Sequence, residues 1–155
     1  LSFKAKIEID GMKELNAAIA ALGSASAKGR VTRAAVNAGG RVIRKQAKAN
    51  ARKIKRTGAL AKSTDMKVKT YKQSGNTVAI IGPQKDFTIT DPVHGKVNPR
   101  LYAHLVELGT ERSQAKPFLR AALLSCAGTV ASVMQSKARD ALAREVAKAA
   151  KKGRR

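Results

Sequence analysis

The chain has 155 residues, enough for one domain with a buried core, and with 43% hydrophobic and 27% charged residues its composition excludes a disordered chain. Thirty-two basic residues against ten acidic ones give a formal charge of +22, which implies a polyanion or an acidic protein surface as neighbour. The single cysteine, Cys126, excludes an internal disulfide, and no apolar run approaches the roughly 18 residues that a membrane span needs.

The opening "LSFKAKIEID" lacks the apolar core of a signal peptide, so a soluble protein made in a reducing cytoplasm is expected, with no membrane partner. Phe3, Ala5, Ile7 and Ile9 alternate with Lys4, Lys6, Glu8 and Asp10, the pattern of a half-buried strand. In "DGMKELNAAIAAL", Asp10 can cap a helix whose Met12, Leu15, Ile19 and Leu22 recur at helical spacing. "GSASAKG" reads as a short flexible break.

Residues 30–55 are predicted to form a helix of ~39 Å at ~1.5 Å per residue. Arg30, Arg33, Arg41, Arg44, Lys45, Lys48, Arg52 and Lys55 fall on it within an arc of about 120°. Val31, Ala35, Val36, Gly39, Val42, Ile43 and Ile54 take the opposite side. From residue 15 to 64 there are twelve basic residues and no acid, so the basic stripe is continuous. Gly39 costs about 1 kcal/mol of helix propensity; either the close approach of another backbone offsets that, or the helix kinks there.

"RTGALAKST", residues 56–64, reads as a loop with a short turn. "MKVKTY" and "TVAIIG" flank "KQSGN" and predict a β-hairpin. Residues 83–100 hold three of the four prolines and read mostly as a long irregular loop, in which Phe87 and Ile89 could make a short strand. "RLYAHLVEL" is a short helix, with Gly109 as a left-handed residue past its end.

Pro117 suits the first turn of a last helix running to about residue 150, some 50 Å. Phe118, Leu119, Ala122, Leu123, Cys126, Val130, Val133 and Met134 share one side of it. Leu142, Val146 and Ala149 form a second strip, rotated by well over 90°. A compact domain of this length is roughly 40 Å across, so such a helix overhangs it, and a neighbouring subunit is the economical cover for the second strip.

The expected architecture is α+β: a small antiparallel sheet, made of the N-terminal strand and the hairpin, packed by the basic amphipathic helix and the long C-terminal helix. One domain spans 1–150, and 151–155 form a basic disordered tail. With aromatics at only 3%, the core should consist of small and aliphatic side chains.

Few residues suit catalysis. His104 and Glu107 are three apart and could share a helix face, but no second histidine or cysteine stands in a ligand spacing. Cys126, on an apolar face, reads as a structural thiol. Phosphate-loop and dinucleotide signatures are missing from the sequence. Neither an enzyme nor a cofactor or metal is expected. Contact with nucleic acid would run through phosphates without sequence preference, since aromatics for base stacking are few.

The stretch "YAHLVELGTERSQAKPFLRAAL" resembles the hallmark of a family of neck proteins of long-tailed phages, the tail-component or tail-completion proteins, similar in role to lambda gpZ. The family pattern is a Tyr-Ala pair, a Val-Glu-(Phe/Leu)-Gly-Thr turn, a variable loop, and Pro-Phe-(Leu/Met)-Arg opening a long helix. Tyr102, Ala103, Val106, Glu107, Leu108, Gly109, Thr110, Pro117, Phe118, Leu119 and Arg120 match it. "DGMKELNAAIAAL" resembles the family's N-terminal strand-to-helix passage, and Thr57 to Ser63 resembles its Gly-x-Leu-x-x-Ser segment. Ala121 departs from a frequent proline, and the 83–100 insertion is longer than usual.

The resemblance implies a non-enzymatic virion protein of the head–tail junction, assembled in the host cytoplasm. It would complete the tail or join it to the DNA-filled head as a homo-oligomeric ring, a hexamer being one form. Its partners would be tail terminator, tail tube or head-closure proteins, with non-specific contact to phage DNA as a further option. In this setting Phe118 would anchor the core, and Glu107, held by Arg112, Lys116 or Arg120, would fix the Gly-Thr loop. The alternative is a basic nucleic-acid-binding protein without enzymatic activity.

Overall fold

The computed structural model describes residues 12–54, 57–71, 75–91 and 95–152. The expected strand over Phe3–Ile9, the Asp10 cap and Lys55 of the basic stripe lie outside them.

The elements are α1 (Met12–Ala21), α2 (Ala25–Lys53), α3 (Ala59–Ser63), β1 (Thr64–Thr70), β2 (Thr77–Pro83), β3 (Ile89–Asp91), β4 (Gly95–Val97), α4 (Pro99–Leu108) and α5 (Leu119–Lys152). The class is α+β, with β1 and β2 in one two-stranded sheet and β3 and β4 in another. The second sheet is antiparallel, pairing Ile89 with Val97 and Asp91 with Gly95.

Two elements correct the sequence reading. The stretch expected to be a loop at 56–64 contains α3, a helical turn whose Ala59, Leu60, Ala61 and Ser63 are all buried. Ser63 Oγ donates to the Leu60 carbonyl at 3.1 Å, and Thr64 Oγ1 donates to the same oxygen at 2.7 Å. The serine and leucine of the Gly-x-Leu-x-x-Ser segment therefore close one buried turn on itself. In the 83–100 stretch the short strand allowed for is present as β3, which includes Ile89 but not Phe87, and its partner β4 was not anticipated.

Both long helices differ from their expected bounds, α2 starting five residues early and ending at Lys53. α2 begins at Ala25, where Ser24 Oγ accepts the Ala27 N–H at 3.4 Å as an N-cap. α5 has 34 residues, about 51 Å at 1.5 Å per residue, and includes Lys151 and Lys152 of the stretch read as a tail.

Contacts divide the chain into two compact units. One takes α1, α2 as far as Gly39, the end of β1 from Val68, the start of β2 as far as Val78, and α5 from Ala127 onward. Its core is Leu15, Val31, Ala35 and Ala138, with Ile19, Leu22, Met134, Ala141 and Leu142 packed around it. A β-carbon at Gly39 would stand 2.5 Å from Met134 Cγ and 3.1 Å from Val130 Cγ1, so the glycine admits the side chains of α5. Of the two readings of Gly39, a backbone approach or a kink, neither named this neighbour: the glycine makes room for side chains of Met134 and Val130.

The other unit takes α2 from Gly40, α3, the remaining strand residues, α4 and the start of α5. Ala51, Leu60, Ala61, Ala103 and Phe118 are buried at its centre, and Ile54, Tyr102, Val106 and Leu119 pack against them. Gly40 stands against the hairpin, where a β-carbon would meet Met66 Sδ at 2.5 Å and Ala79 Cβ at 3.0 Å.

Candidate functional site

The joint between α4 and α5 is built from short-range hydrogen bonds. Asn98 caps α4, its Oδ1 accepting the Arg100 N–H at 2.9 Å, and Pro99 follows at the first helical position. α4 ends when the Gly109 N–H donates to the Leu105 carbonyl at 2.8 Å. Gly109 has φ 78° and ψ 176°, which is not the expected left-handed helical conformation but an extended positive-φ region open in practice only to glycine. A β-carbon there would lie 2.7 Å from the Ala115 nitrogen. Thr110 and Ser113 then exchange backbone hydrogen bonds of 2.9 and 3.1 Å, and Lys116 N–H donates to the Val106 carbonyl at 2.8 Å. The loop is thus tied back onto the helix that it leaves.

Phe118 restarts the helix. Its carbonyl accepts the Ala122 N–H at 3.3 Å, which makes it the N-cap residue, and also accepts from Asn50 Nδ2 at 3.2 Å. Its ring is fully buried. A phenylalanine cannot cap its own helix, so the first N–H groups need an acceptor from elsewhere. Glu107 supplies it: Oε2 accepts from Phe118 N at 2.9 Å and Leu119 N at 3.0 Å, and Oε1 accepts from Arg120 N at 2.7 Å. One carboxylate takes three orphan donors and meets the positive end of the helix dipole. The sequence reading expected a side-chain cation as its partner; the structure gives it backbone N–H groups of the Phe118–Arg120 segment.

Tyr102 is half-buried against the same cluster, while Pro117 and Thr110 are exposed. Pro117 precedes the helix instead of standing in its first turn.

On α2 the basic residues do face outward. Arg33, Arg41, Lys45 and Arg52 are exposed, and Lys48 is half-buried. Two of the stripe's cations are neutralised within the chain. Arg44 Nη1 lies 2.7 Å from Asp65 Oδ1, and Gln84 Nε2 donates to the other Asp65 oxygen at 2.8 Å. The Arg44 hydrogen bond and then that of Gln84 hold the Asp65 carboxyl below its ordinary range. Arg30 grips Glu145 through two nitrogens, with Nε at 3.0 Å, and Lys148 Nζ joins at 3.1 Å. The hydrogen bonds from Arg30 and then Lys148 lower the Glu145 carboxyl to about 2. Among the described residues, Arg33, Arg41, Lys45, Lys48 and Arg52 have no acidic partner. The Arg30–Glu145 pair spans 115 positions, and nothing in the sequence could have announced it.

The strip expected to form an oligomer contact divides. Leu142 packs into the core of the first unit, whereas Val146 and Ala149 are exposed. A second apolar face was missed from sequence: Leu101, Leu105 and Leu108 of α4 are all exposed. Among the described residues no cluster of histidine, cysteine and carboxylate could hold a metal, and no helix is long and apolar enough to cross a membrane. Cys126 is a half-buried free thiol.

A remotely capped joint, a cationic helix face and outward apolar strips are the equipment of a structural assembly module. Residues 13–109, more than half of the chain, match the family described as "Bacteriophage HK97-gp10, putative tail-component". The chain belongs to that family and is a structural, non-enzymatic virion component of a phage tail. The matched region ends at Gly109, so Pro117 and Phe118 lie beyond it. No curated protein and no solved structure showed significant similarity.

Proposed function

We propose that this tail component works at the head–tail junction, where copies form a ring that completes the tail and joins it to the DNA-filled head. The observation that carries the reading is the α4–α5 joint. The Tyr102–Arg120 stretch that resembles the tail-completion proteins, lambda gpZ among them in role, is the stretch whose hydrogen bonds fix the start of α5. A hydrogen-bond network that fixes the start of a 34-residue helix suits a subunit that presents that helix to neighbours. The neighbours would be further copies and the tail terminator, tail tube or head-closure proteins.

The unneutralised cations of α2 support a second element of this reading: the face docks on an acidic surface in the neck. A neck that must release its genome gains nothing by gripping DNA. The alternative, in which the same cations bind phosphates, predicts DNA affinity that falls steeply with salt, at a log–log slope of roughly −0.9 per neutralised phosphate.

The location is tested by cryo-electron microscopy of virions carrying a tagged copy of the protein. Extra density should appear as a ring at the head-proximal end of the tail. Density along the tail tube or at its distal tip would overturn the reading.

A further inference from the structure

We propose that the cleft lined by α4 and the loop after it docks an acidic segment of a different protein, seating a large apolar side chain of that segment beside a carboxylate held by Lys116. The inference goes beyond the junction reading and does not need copies to form a ring.

The cleft holds about 340 Å³, and Ile54, Tyr102, Leu105 and Val106 form its apolar wall. That is the low end of the roughly 300–1,000 Å³ of ligand clefts and suits an anchoring side chain. Leu101 and Leu108 lie on the same face of α4 as Leu105, at positions i, i+4 and i+7, and each is 73% exposed. A small molecule in the cleft would leave that row in water, whereas a chain segment covers both.

Lys116 sets the sign of the occupant. It is the one charged residue that lines the cleft, and its N–H, donating to the Val106 carbonyl at 2.8 Å, ties it there. Among the described residues it has no acidic partner. Glu107 of α4 is spent on the N–H groups of Phe118, Leu119 and Arg120. An apolar side chain that fills the cleft takes water from around the ammonium. An accompanying carboxylate offsets that cost, and a neutral or basic occupant does not. Ile54 follows the exposed cations Arg52 and Lys53 directly in the chain, which adds to the same preference.

A second copy of the chain does not offer this combination. Of the exposed large apolar residues among the described ones, only Leu108 and Val146 adjoin a carboxylate in sequence. Both carboxylates are committed, Glu107 to the head of α5 and Glu145 to Arg30 and Lys148. The segment that fits therefore belongs to another protein, and it pairs leucine, isoleucine, phenylalanine or methionine with nearby aspartate or glutamate.

The test offers a displayed library of short random peptides to the full-length protein and discards those that also bind a Leu105→Ser/Lys116→Glu variant. Both sites are exposed, so the variant should fold like the parent, as circular dichroism checks. The surviving peptides should combine a large apolar residue with acids. The most enriched one, synthesised with a fluorophore, should bind the parent at least about tenfold more tightly than it binds Leu105→Ser or Lys116→Glu, the loss expected of a central contact. Arg41→Glu with Lys45→Glu, outside the cleft, should change its affinity less than about twofold. Replacing its acids with lysines should reverse the preference, so that Lys116→Glu binds better than the parent. The proposal is wrong if no peptide survives, if the survivors carry no excess of acid, or if affinity follows the cations of α2 in place of Lys116. None of these results bears on the junction reading, which imaging of virions tests separately.

Discussion

Glu107 and Glu145 are the carboxylates on which single residues matter most. Glu107 accepts from three backbone N–H groups at the head of α5. Glu107→Gln keeps one acceptor oxygen and turns an NH₂ group toward a donor, so a loss of about 1–2 kcal/mol is expected, the upper part of the N-cap range. Urea unfolding measures it, and an unchanged midpoint would show that solvent replaces the carboxylate at no cost. Glu145 predicts a pH effect. Its folded pKa is about 2 against an ordinary 4.5, so its stabilisation is complete above about pH 4.5 and is lost as pH falls toward 2. Between those values Glu145→Gln should show a shallower decline of stability with acid than the parent chain. Parallel curves would mean that the Arg30 pair is not formed in solution.

At the scale of elements, the Gly39 contact can be tested by a double-mutant cycle. Gly39→Ala should gain up to about 1 kcal/mol of helix propensity, yet its methyl group would stand 2.5 Å from Met134 Cγ. The clash should win, and the single variant should be destabilised. In a Met134→Ala background only Val130 Cγ1, at 3.1 Å, still crowds the new methyl group, so the same change should cost markedly less than in the parent. If Gly39→Ala behaves alike in both backgrounds, the two helices do not meet there.

Elements that repeat were legible from sequence, and elements defined by single contacts were not. The periodicity of α2, the alternation of the first hairpin and the apolar side of α5 run long enough to be read. α3 has five residues, too few for a helical period, and is stabilised by the side chains of Ser63 and Thr64 bonding back to Leu60. β3, allowed for only through Ile89, and β4, not foreseen, have three residues each and lie in a proline-rich stretch. The start of α2 was hidden because Gly29 and a run of serine and alanine carry little apolar period. For the candidate site, the importance of Glu107 was visible through the motif, but its partners were not. It caps a helix beginning twelve residues downstream of it, beyond any local capping rule.

For the whole molecule, the question is what neutralises the cationic face. Arg44 and Arg30 already have acids, so they are left intact, and Arg33, Arg41, Lys45 and Arg52 are changed to glutamate. The docking reading expects this variant to fold, to lose head–tail joining in vitro, and to differ little from the parent in DNA affinity at physiological salt. A steep, salt-dependent parental DNA affinity that the variant abolishes would instead assign the face to phosphates.

The central claim is that this tail component joins the finished tail to the head. It is tested most directly by electron microscopy of a lysate made by phage lacking only this protein. DNA-filled heads and separate full-length tails are expected, and adding purified protein should convert them to infectious particles. Complete virions, or heads accompanied by no tails, would contradict it.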